Sequence, residues 1–262
     1  MVRACQNGFA EIEKEMDDLY QCKDRVSYSR IDTEGKLKVH AIVNAMQDCS
    51  LFHSEEVGRS CMDLKEDAHA WLVNSWHIVF KRRPSMGEEF VVRTWPYKFR
   101  GIFGMRNFVM ESMQGEVLAY ADSQWFYFDQ KTGKPIIATP EEVEPFGMGE
   151  PYPMEYLSRK VAYPKSMEFR GTVRVCENHL DTNEHMNNGE YVRIAANFLP
   201  SGFQVEDLQV EYRLAAKLGD ELKVNTAYGE EGFYVVLTDA QKSPYAIVRF
   251  REPGDTILEN KK

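Results

Sequence analysis

The chain has 262 residues, of which 43% are hydrophobic and 28% are charged, and its formal net charge is −9. This composition is typical of a globular protein and argues against disorder, and the length suffices for one large domain or two smaller ones with sizeable cores. The negative charge disfavours nucleic acid or an anionic membrane as the general partner, and no apolar run is long enough to span a bilayer.

The first twenty residues predict a charged leader and not a signal or transit peptide, because they are polar and acidic. The five cysteines are odd in number and scattered, without a C-x-x-C pair, and the six histidines show no zinc-binding spacing. We therefore expect a cytoplasmic protein that has no disulfide framework, no metal and no cofactor.

The first half predicts one buried helix beside a sheet. Residues 20–31 predict a short first strand, and residues 37–57 carry the longest helical pattern of this half. Its apolar residues recur at spacings of three and four: Ile42, Ala45, Met46, Cys49 and Phe52. Runs rich in Val, Phe, Trp and Tyr follow at residues 70–80, 88–99, 105–113 and 116–129. One helix with such strands predicts an α+β layer.

The composition changes over residues 136–166, which contain five prolines and many acidic residues. This stretch lacks strand alternation and predicts a linker with room for one helical turn. We therefore predict an N-terminal domain over residues 1–135, the linker over 136–166 and a C-terminal domain over 167–262.

The second half repeats the first. Ile31-Asp32-Thr33 corresponds to Leu180-Asp181-Thr182 at an offset of 149 residues. Residues 76–94 lie over residues 208–226 at an offset of 132, which aligns two glycines, Gly87 and Gly219. Two copies of strand, long helix and antiparallel strands are predicted.

A dense polar group stands where the second helix begins. It comprises Asp181, Asn183, His185, Asn187 and Asn188, and an apolar helical pattern follows at once. Helix capping explains one or two of these residues. An imidazole among carboxamides and a carboxylate supplies a base, an orienting group and hydrogen-bond donors, and we favour a reaction centre over a capped surface helix.

The run DTNEHMNNGEY, together with QVEYRLAAKLGDEL downstream and TWPYKFRGIFGMRNF in the first half, resembles the acyl-ACP thioesterases. These enzymes release fatty acids from acyl carrier protein. The resemblance implies an α+β fold of two tandem hotdog domains, each a curled antiparallel sheet around a long central helix. It also implies that Asp181, Asn183 and His185 are catalytic, with the second half performing the chemistry and the first half binding the acyl chain.

The sequence departs from the family after the Tyr-Arg pair of the downstream strand, where the family carries an acidic residue that Cys follows in plant members. Here Arg213 is followed by Leu214, Ala215 and Ala216, so the acid and the thiol are both missing. Water activation is left to His185 alone or to a carboxylate from elsewhere. The nearest in sequence are Glu184, which we expect to point out of its turn, and Glu211, which we expect on the opposite face of its strand.

The resemblance also implies a substrate site and a partner. We expect the acyl chain to lie along the first helix, against Ile42, Ala45, Met46 and Cys49, with Asn187 and Asn188 near the thioester. Acyl carrier protein is acidic, so docking requires a local basic patch. Lys81, Arg82 and Arg83 are the candidates, with Lys98, Arg100 and Arg106 nearby in sequence, and these residues are equally compatible with solvated strand ends.

Other functions are also compatible with the sequence. An acyl-CoA thioesterase shares the fold, the missing acid is compatible with a non-catalytic acyl-binding protein, and a hydratase is a weaker alternative. A double hotdog pairs two halves within one chain, so that a monomer and a homodimer are both compatible with the sequence.

Overall fold

The structure is a computed structural model that describes residues 19–60 and 69–254. Residues 1–18 of the predicted leader lie outside the described residues, as do Cys5 and Cys61. Within the described part of the chain, no helix is long and apolar enough to cross a bilayer.

The described residues of the first half contain one long helix and six strands. In chain order they are β1 (Tyr20–Arg25), α1 (Val39–Glu56), β2 (His69–Phe80), β3 (Glu89–Arg100), β4 (Phe103–Ser112), β5 (Val117–Asp129) and the two-residue β6 (Lys134–Pro135). The predicted helix and strands of this half are confirmed, with boundaries that differ by a few residues. A 3₁₀ turn, Tyr28–Arg30, takes the end of the segment predicted as the first strand.

The region predicted as a linker carries one short helix, α2 (Pro140–Val143), and a 3₁₀ turn, Glu144–Phe146. The second half follows with β7 (Glu168–Arg174), a 3₁₀ turn Glu177–His179, α3 (Asn188–Ala196), β8 (Asp207–Tyr212), β9 (Glu221–Gly229), β10 (Gly232–Thr238) and β11 (Pro244–Arg251).

All eleven strands belong to one antiparallel sheet. The strand order is β1-β3-β4-β5-β2-β8-β11-β10-β9-β7, with β6 paired to β5. The order of the second half mirrors that of the first, and the two halves join where β2 pairs with β8, from Ser75 opposite Glu211 to Val79 opposite Asp207. The predicted α+β architecture is confirmed, and the two sheets are continuous.

The hydrogen bonds of the loops confirm the internal repeat. The N–H of Leu37 donates to the carbonyl of Pro84, and the N–H of Met186 donates to the carbonyl of Ala216. These partners differ by the two offsets read from the sequence, 149 and 132 residues. Leu37 and Met186 each follow the turn before a helix, and Pro84 and Ala216 each precede a turn between two strands. The same hydrogen bond therefore joins the two turns in each half.

The second helix is a correction to the predicted pair of long helices. α1 has 18 residues and α3 has 9. The helix ends at Ala196 because Pro200 follows closely, and a proline disfavours helical backbone in the residue before it. Phe198 therefore lies beyond the helix, where it packs against the core.

The two helices cross at very short range. A Cβ atom added to Gly189, in the first turn of α3, would lie 1.8 Å from Oδ1 of Asn44 in α1. With a larger residue at this position, the Asn44 side chain would have to move away from α3. The entrance of α3, which carries the polar group of the sequence, is thereby pressed against the middle of α1.

Candidate active site

The segment from Asp181 to His185 forms a tight turn that leads into α3. The N–H of Asp181 donates to the carbonyl oxygen of His185 across 2.8 Å, and the N–H of Asn183 donates to Oδ1 of Asp181 across 2.7 Å. At the tip, Glu184 has a φ of 59°, a left-handed conformation that non-glycine residues adopt mainly in turns. The Asp181 carboxylate thus holds the turn that presents Asn183 and His185.

The first half contains the same turn, but an arginine side chain occupies the space beside its aspartate. Oδ1 of Asp32 accepts the N–H of Glu34 across 2.9 Å, and Arg83 forms an ion pair with Asp32. Burial opposes ionisation of Asp32, but its hydrogen bonds and the Arg83 charge lower its pKa below the usual value. The 132-residue offset places Ala215 where the first half has Arg83. The second turn therefore has no guanidinium beside its aspartate at that position.

A cavity of about 410 Å³ opens beside the second turn and extends into the first half, between α1 and strands β2 to β5. Its mouth is marked by the exposed lining residues Thr182, Leu214 and Ala215. Aromatic and aliphatic side chains form much of its wall: Leu51, Trp71, Leu72, Val73, Phe99, Trp125, Phe126 and Phe146. This volume and lining suit a small apolar ligand with one polar end.

Each residue of the predicted catalytic group lines this cavity, namely Asp181, Asn183 and His185. Oδ1 of Asn183 accepts a hydrogen bond from Nε2 of Gln130 across 3.4 Å. The described residues offer no hydrogen bond to the His185 ring, which leaves the imidazole available to water or substrate. The structure brings the three residues together, and their catalytic roles stay a prediction.

The two asparagines at the helix entrance do different things. Asn187 is the N-cap of α3, because its Oδ1 accepts the N–H of Gly189 across 2.9 Å. Nδ2 of Asn188 donates to Oε1 of Gln47 in α1 across 3.2 Å. Both asparagines and Gln47 line the cavity. Capping therefore explains Asn187, whereas Asn188 joins the active-site turn to the first half.

The structure places the α1 residues expected to contact the acyl chain in or against the core, and their contact with the chain stays a prediction. Ile42, Met46 and Cys49 are fully buried in the core, Ala45 packs against that core, and none of the four lines the cavity. Because α1 is enclosed on more than one face, its most apolar stripe packs against the sheet and a neighbouring stripe meets the cavity. That stripe consists of Gln47, Asp48, Ser50, Leu51 and Ser54.

Two tyrosines fix the turn to the segment after β8. The Tyr212 hydroxyl donates to the carbonyl oxygen of Asn188 across 3.0 Å, and the Tyr191 hydroxyl accepts the N–H of Ala216 across 2.9 Å. Burial raises the pKa of Tyr191 to about 12 and raises that of Tyr212 as well. Both phenols are therefore neutral near pH 7 and act as positioning groups.

Neither glutamate considered for water activation reaches the cavity. Glu211 forms an ion pair with Arg213 and accepts the N–H of Val161 across 2.8 Å, which holds it against the linker. Glu184 is exposed at the tip of the turn. The carboxylates among the lining residues are Asp181 and Asp48, and the role of His185 as the base stays a prediction. The same residues contain no cluster of three or more metal-binding side chains.

The predicted docking residues lie away from the cavity. Leu72 lines it, and Lys81 follows nine residues later, roughly 30 Å further along the strand direction. Arg82 is paired with Glu88 and Glu116, and Arg83 with Asp32. Two of the three charges are thus already compensated. Docking through this cluster stays a prediction that the geometry does not favour.

Arg106, named in the sequence with the nearby basic residues, is not on the surface. Its side chain is buried and lines the cavity, where Nη1 lies 3.1 Å from both Nδ1 of His53 and Oγ1 of Thr94. Burial lowers the pKa of His53 to about 4 and that of Arg106 to about 10. The neutral imidazole accepts from the guanidinium, and Arg106 supplies a polar group to the cavity wall.

Sequence reasoning missed Gln47 and Arg106 as residues that line the cavity. Gln47 follows Met46 within an apolar helical pattern, and a polar residue at a buried helix position was the signal that could have identified it. Arg106 stands within an apolar strand run and offered the same signal.

Two models of one protein family together match most of the chain. The model of the acyl-ACP thioesterase N-terminal domain matches residues 17–146, and that of the C-terminal domain matches residues 163–252. A palmitoyl-acyl carrier protein thioesterase of Cuphea hookeriana is 28% identical over 224 residues, which cover 77% of this chain and 53% of that protein. The chain spans about half the length of the curated relatives it matches.

Solved structures share the fold. An acyl-ACP thioesterase from Bacteroides thetaiotaomicron superposes with a TM-score of 0.81 at 22% identity, covering 90% of this chain and 98% of that one. A 12:0-ACP thioesterase from Umbellularia californica superposes with a TM-score of 0.78 at 18% identity, covering 89% and 96%. At these identities the likeness establishes the tandem hotdog architecture.

Proposed function

Because the chain belongs to the acyl-ACP thioesterase family, we propose that it hydrolyses the thioester of a fatty acyl-ACP to free fatty acid and ACP, a step that ends fatty acid synthesis. One observation carries the proposal: Asn183 and His185 stand at the mouth of a largely apolar cavity that runs into the first half. An acyl chain in that cavity places its thioester beside the turn.

His185 takes a proton from water, and the water oxygen forms a bond with the thioester carbon. Negative charge develops on the carbonyl oxygen, the carbon–sulfur bond breaks, and the protonated imidazole returns the proton to the thiolate of the carrier. Asn183 positions the water or the carbonyl through its carboxamide. Asp181 keeps both residues in place through the turn.

The helix entrance supplies one backbone donor for the developing oxyanion. The N–H of Asn187 donates to the carbonyl of His179, and the N–H of Gly189 is taken by the cap. The N–H of Asn188, the first residue of α3, is the remaining donor of the three. It lies at the positive end of the helix dipole, which favours a negative charge there.

For the carrier protein, the mouth offers a better docking surface than the distant cluster at Lys81. Lys131 follows Gln130, which contacts Asn183, and Lys217 lies two residues after Ala215. Both lysines are exposed, and neither forms a salt bridge within the described part of the chain. An acidic carrier protein complements these charges. The cytoplasmic location and the oligomeric state stay predictions.

The direct test compares thiol release from matched acyl-ACP and acyl-CoA thioesters by the wild-type protein. We expect a higher kcat/KM for acyl-ACP. Preference for acyl-CoA would identify an acyl-CoA thioesterase, and acyl binding without release of thiol from either substrate would identify a non-catalytic acyl-binding protein. Formation of a hydroxyacyl product would indicate a hydratase.

A further inference from the structure

We propose that Gln47, which belongs to the first half, is a catalytic residue that donates a hydrogen bond from its side-chain amide to the thioester oxygen. The inference rests on the proposed thioesterase function and adds a residue outside the predicted catalytic group. It makes the active site a joint product of both halves of the chain.

Gln47 is a buried amide inside the cavity. Its side chain is only 9% exposed, yet it lines the cavity on the stripe of α1 that faces the turn. Its Oε1 accepts from Nδ2 of Asn188 across 3.2 Å, which fixes the orientation of the amide group. Nε2 makes no hydrogen bond to any described residue. Nε2 is not among the fully buried unpaired atoms of the described residues, so it is accessible from the cavity, where a substrate oxygen can accept its N–H.

The position of this donor matches the needs of the reaction. Asn188, which holds Oε1 of Gln47, also carries the backbone N–H that the N-cap leaves free. Two N–H donors, one from each half, therefore belong to residues that one hydrogen bond joins at the entrance of α3. Paired donors aimed at the oxygen that gains charge are the usual means of stabilising a tetrahedral intermediate, and no proton transfer by Gln47 is required.

The chain also explains why the donor comes from α1. The N–H groups of the α3 entrance are mostly used by the cap and the turn, as described above. The close crossing at Gly189, where Asn44 of α1 takes the space of a side chain, brings the next turn of α1 within reach of Asn188. Gln47 lies three residues beyond Asn44 and so points from the same side of the helix.

Two substitutions separate a donor from a structural support. Gln47→Glu keeps an oxygen to accept from Asn188 but removes the N–H donor, whereas Gln47→Leu removes both. If Gln47 donates to the oxyanion, both variants should lower kcat on the order of 10²-fold or more, the usual effect of removing one such donor. Gln209→Leu is the matched control, because Gln209 is equally buried but donates to Ser158 of the linker.

A second readout does not depend on turnover. In an acyl-pantetheine ketone, a methylene group replaces the sulfur, so the carbonyl is present but cannot be hydrolysed. We expect the infrared stretch of this carbonyl to move to lower frequency on binding to the wild-type protein and to the Gln209→Leu variant. The shift should be smaller in both Gln47 variants, with binding of the analogue and the melting temperature largely retained.

The proposal is overturned if Gln47→Glu keeps the wild-type kcat and carbonyl frequency, since Gln47 would then only support Asn188. It is also overturned if the carbonyl frequency does not change on binding to the wild-type protein. Failure of the proposed function looks different: wild-type protein would release no thiol from any thioester, while the frequency shift would still depend on Gln47.

Discussion

Asp32 and Arg83 form an ion pair in the first half, and the repeat places Asp181 and Ala215 at the corresponding positions of the second half. The two turns share their backbone hydrogen bonds. A guanidinium compensates the first aspartate and occupies the space beside it, whereas a methyl group leaves that space to the cavity. The absence of one large charged side chain at position 215 thus distinguishes the second turn from the first.

Restoring that side chain should close the site. Ala215→Arg places a guanidinium beside Asp181, which blocks the mouth and pairs the carboxylate. We expect kcat/KM to fall by about 100-fold or more, because misplacement of a reacting group by about 1 Å already costs that much. The melting temperature should not fall. Leu218→Arg is the control, since Leu218 is exposed outside the cavity; equal loss in both variants would contradict the model.

Substitutions in the proposed reaction centre should lower kcat without lowering the melting temperature. His185→Ala should lower kcat on the order of 10²-fold or more with little change in the melting temperature, because a general base typically contributes that much. Asn183→Ala should have a comparable effect. Asn187→Ala should instead lower the free energy of unfolding by about 1 kcal/mol, because it removes the cap of α3.

Asp181 provides the internal control for this prediction. Asp181→Asn retains the oxygen that accepts the N–H of Asn183 and should be milder than Asp181→Ala, which dismantles the turn. Assays of kcat and thermal unfolding on the same set of proteins separate these cases. Normal turnover by His185→Ala would defeat the proposed mechanism.

Selection of acyl length should depend on the stripe of α1 that meets the cavity. Leu51→Trp adds bulk to the cavity wall and should shift the acyl-ACP profile toward shorter chains. Met46→Trp adds the same bulk to the core, where overpacking costs about 1–3 kcal/mol, and should lower stability without this shift. Rates across a series of acyl lengths, with urea unfolding, test the pair. A shift toward shorter chains in Met46→Trp but not in Leu51→Trp would support the expectation drawn from sequence periodicity.

Docking of the carrier should depend on charge at the mouth. Reversal of both lysines, Lys131→Glu with Lys217→Glu, should raise KM for acyl-ACP and weaken its dependence on salt while sparing small thioesters. The comparison is the triple reversal of Lys81, Arg82 and Arg83, which breaks ion pairs and should act mainly on stability. If only the triple variant raises KM for acyl-ACP, the carrier docks at the distant cluster.

The outer face of the sheet predicts a pH dependence of stability. Asp122 is mostly buried there and accepts the Tyr97 hydroxyl hydrogen across 2.9 Å, and burial raises the pKa of its carboxyl group to about 6. Because the folded pKa exceeds the unfolded value, the stability from this group is present at low pH and is lost as pH rises from about 4 through 6. Asp122→Asn should therefore be more stable than wild type at pH 8, by on the order of 2 kcal/mol.

Urea unfolding of both proteins at pH 4 and pH 8 measures this effect. Asparagine keeps the oxygen that accepts from Tyr97, so the comparison isolates the ionisation. The difference between the two proteins should largely disappear near pH 4. An equal difference at both pH values would show that packing, and not ionisation, is responsible.

The sequence by itself determined the first helix, the strand segments of the first half, the duplication and the position of the polar turn. These features depend on periodicity and on local turn chemistry. Asp181 specifies its turn through a hydrogen bond to Asn183, only two residues away. The offsets of 149 and 132 residues are visible in the sequence because the loops of both halves are paired in the same way.

Tertiary structure alone decided which stripe of α1 meets the cavity, because that depends on how the sheet curves around a helix enclosed on several faces. Tertiary structure also decided that Arg106 is buried and that Lys81 lies away from the mouth. The direction of β2 and the position of β4 in the sheet set these two locations, and local charge patterns do not encode either. Gln47 and Asn188 are 141 residues apart in sequence. Their contact exists because two helices from different halves pack against each other, with Gly189 beside the Asn44 side chain, and no local pattern specifies this proximity.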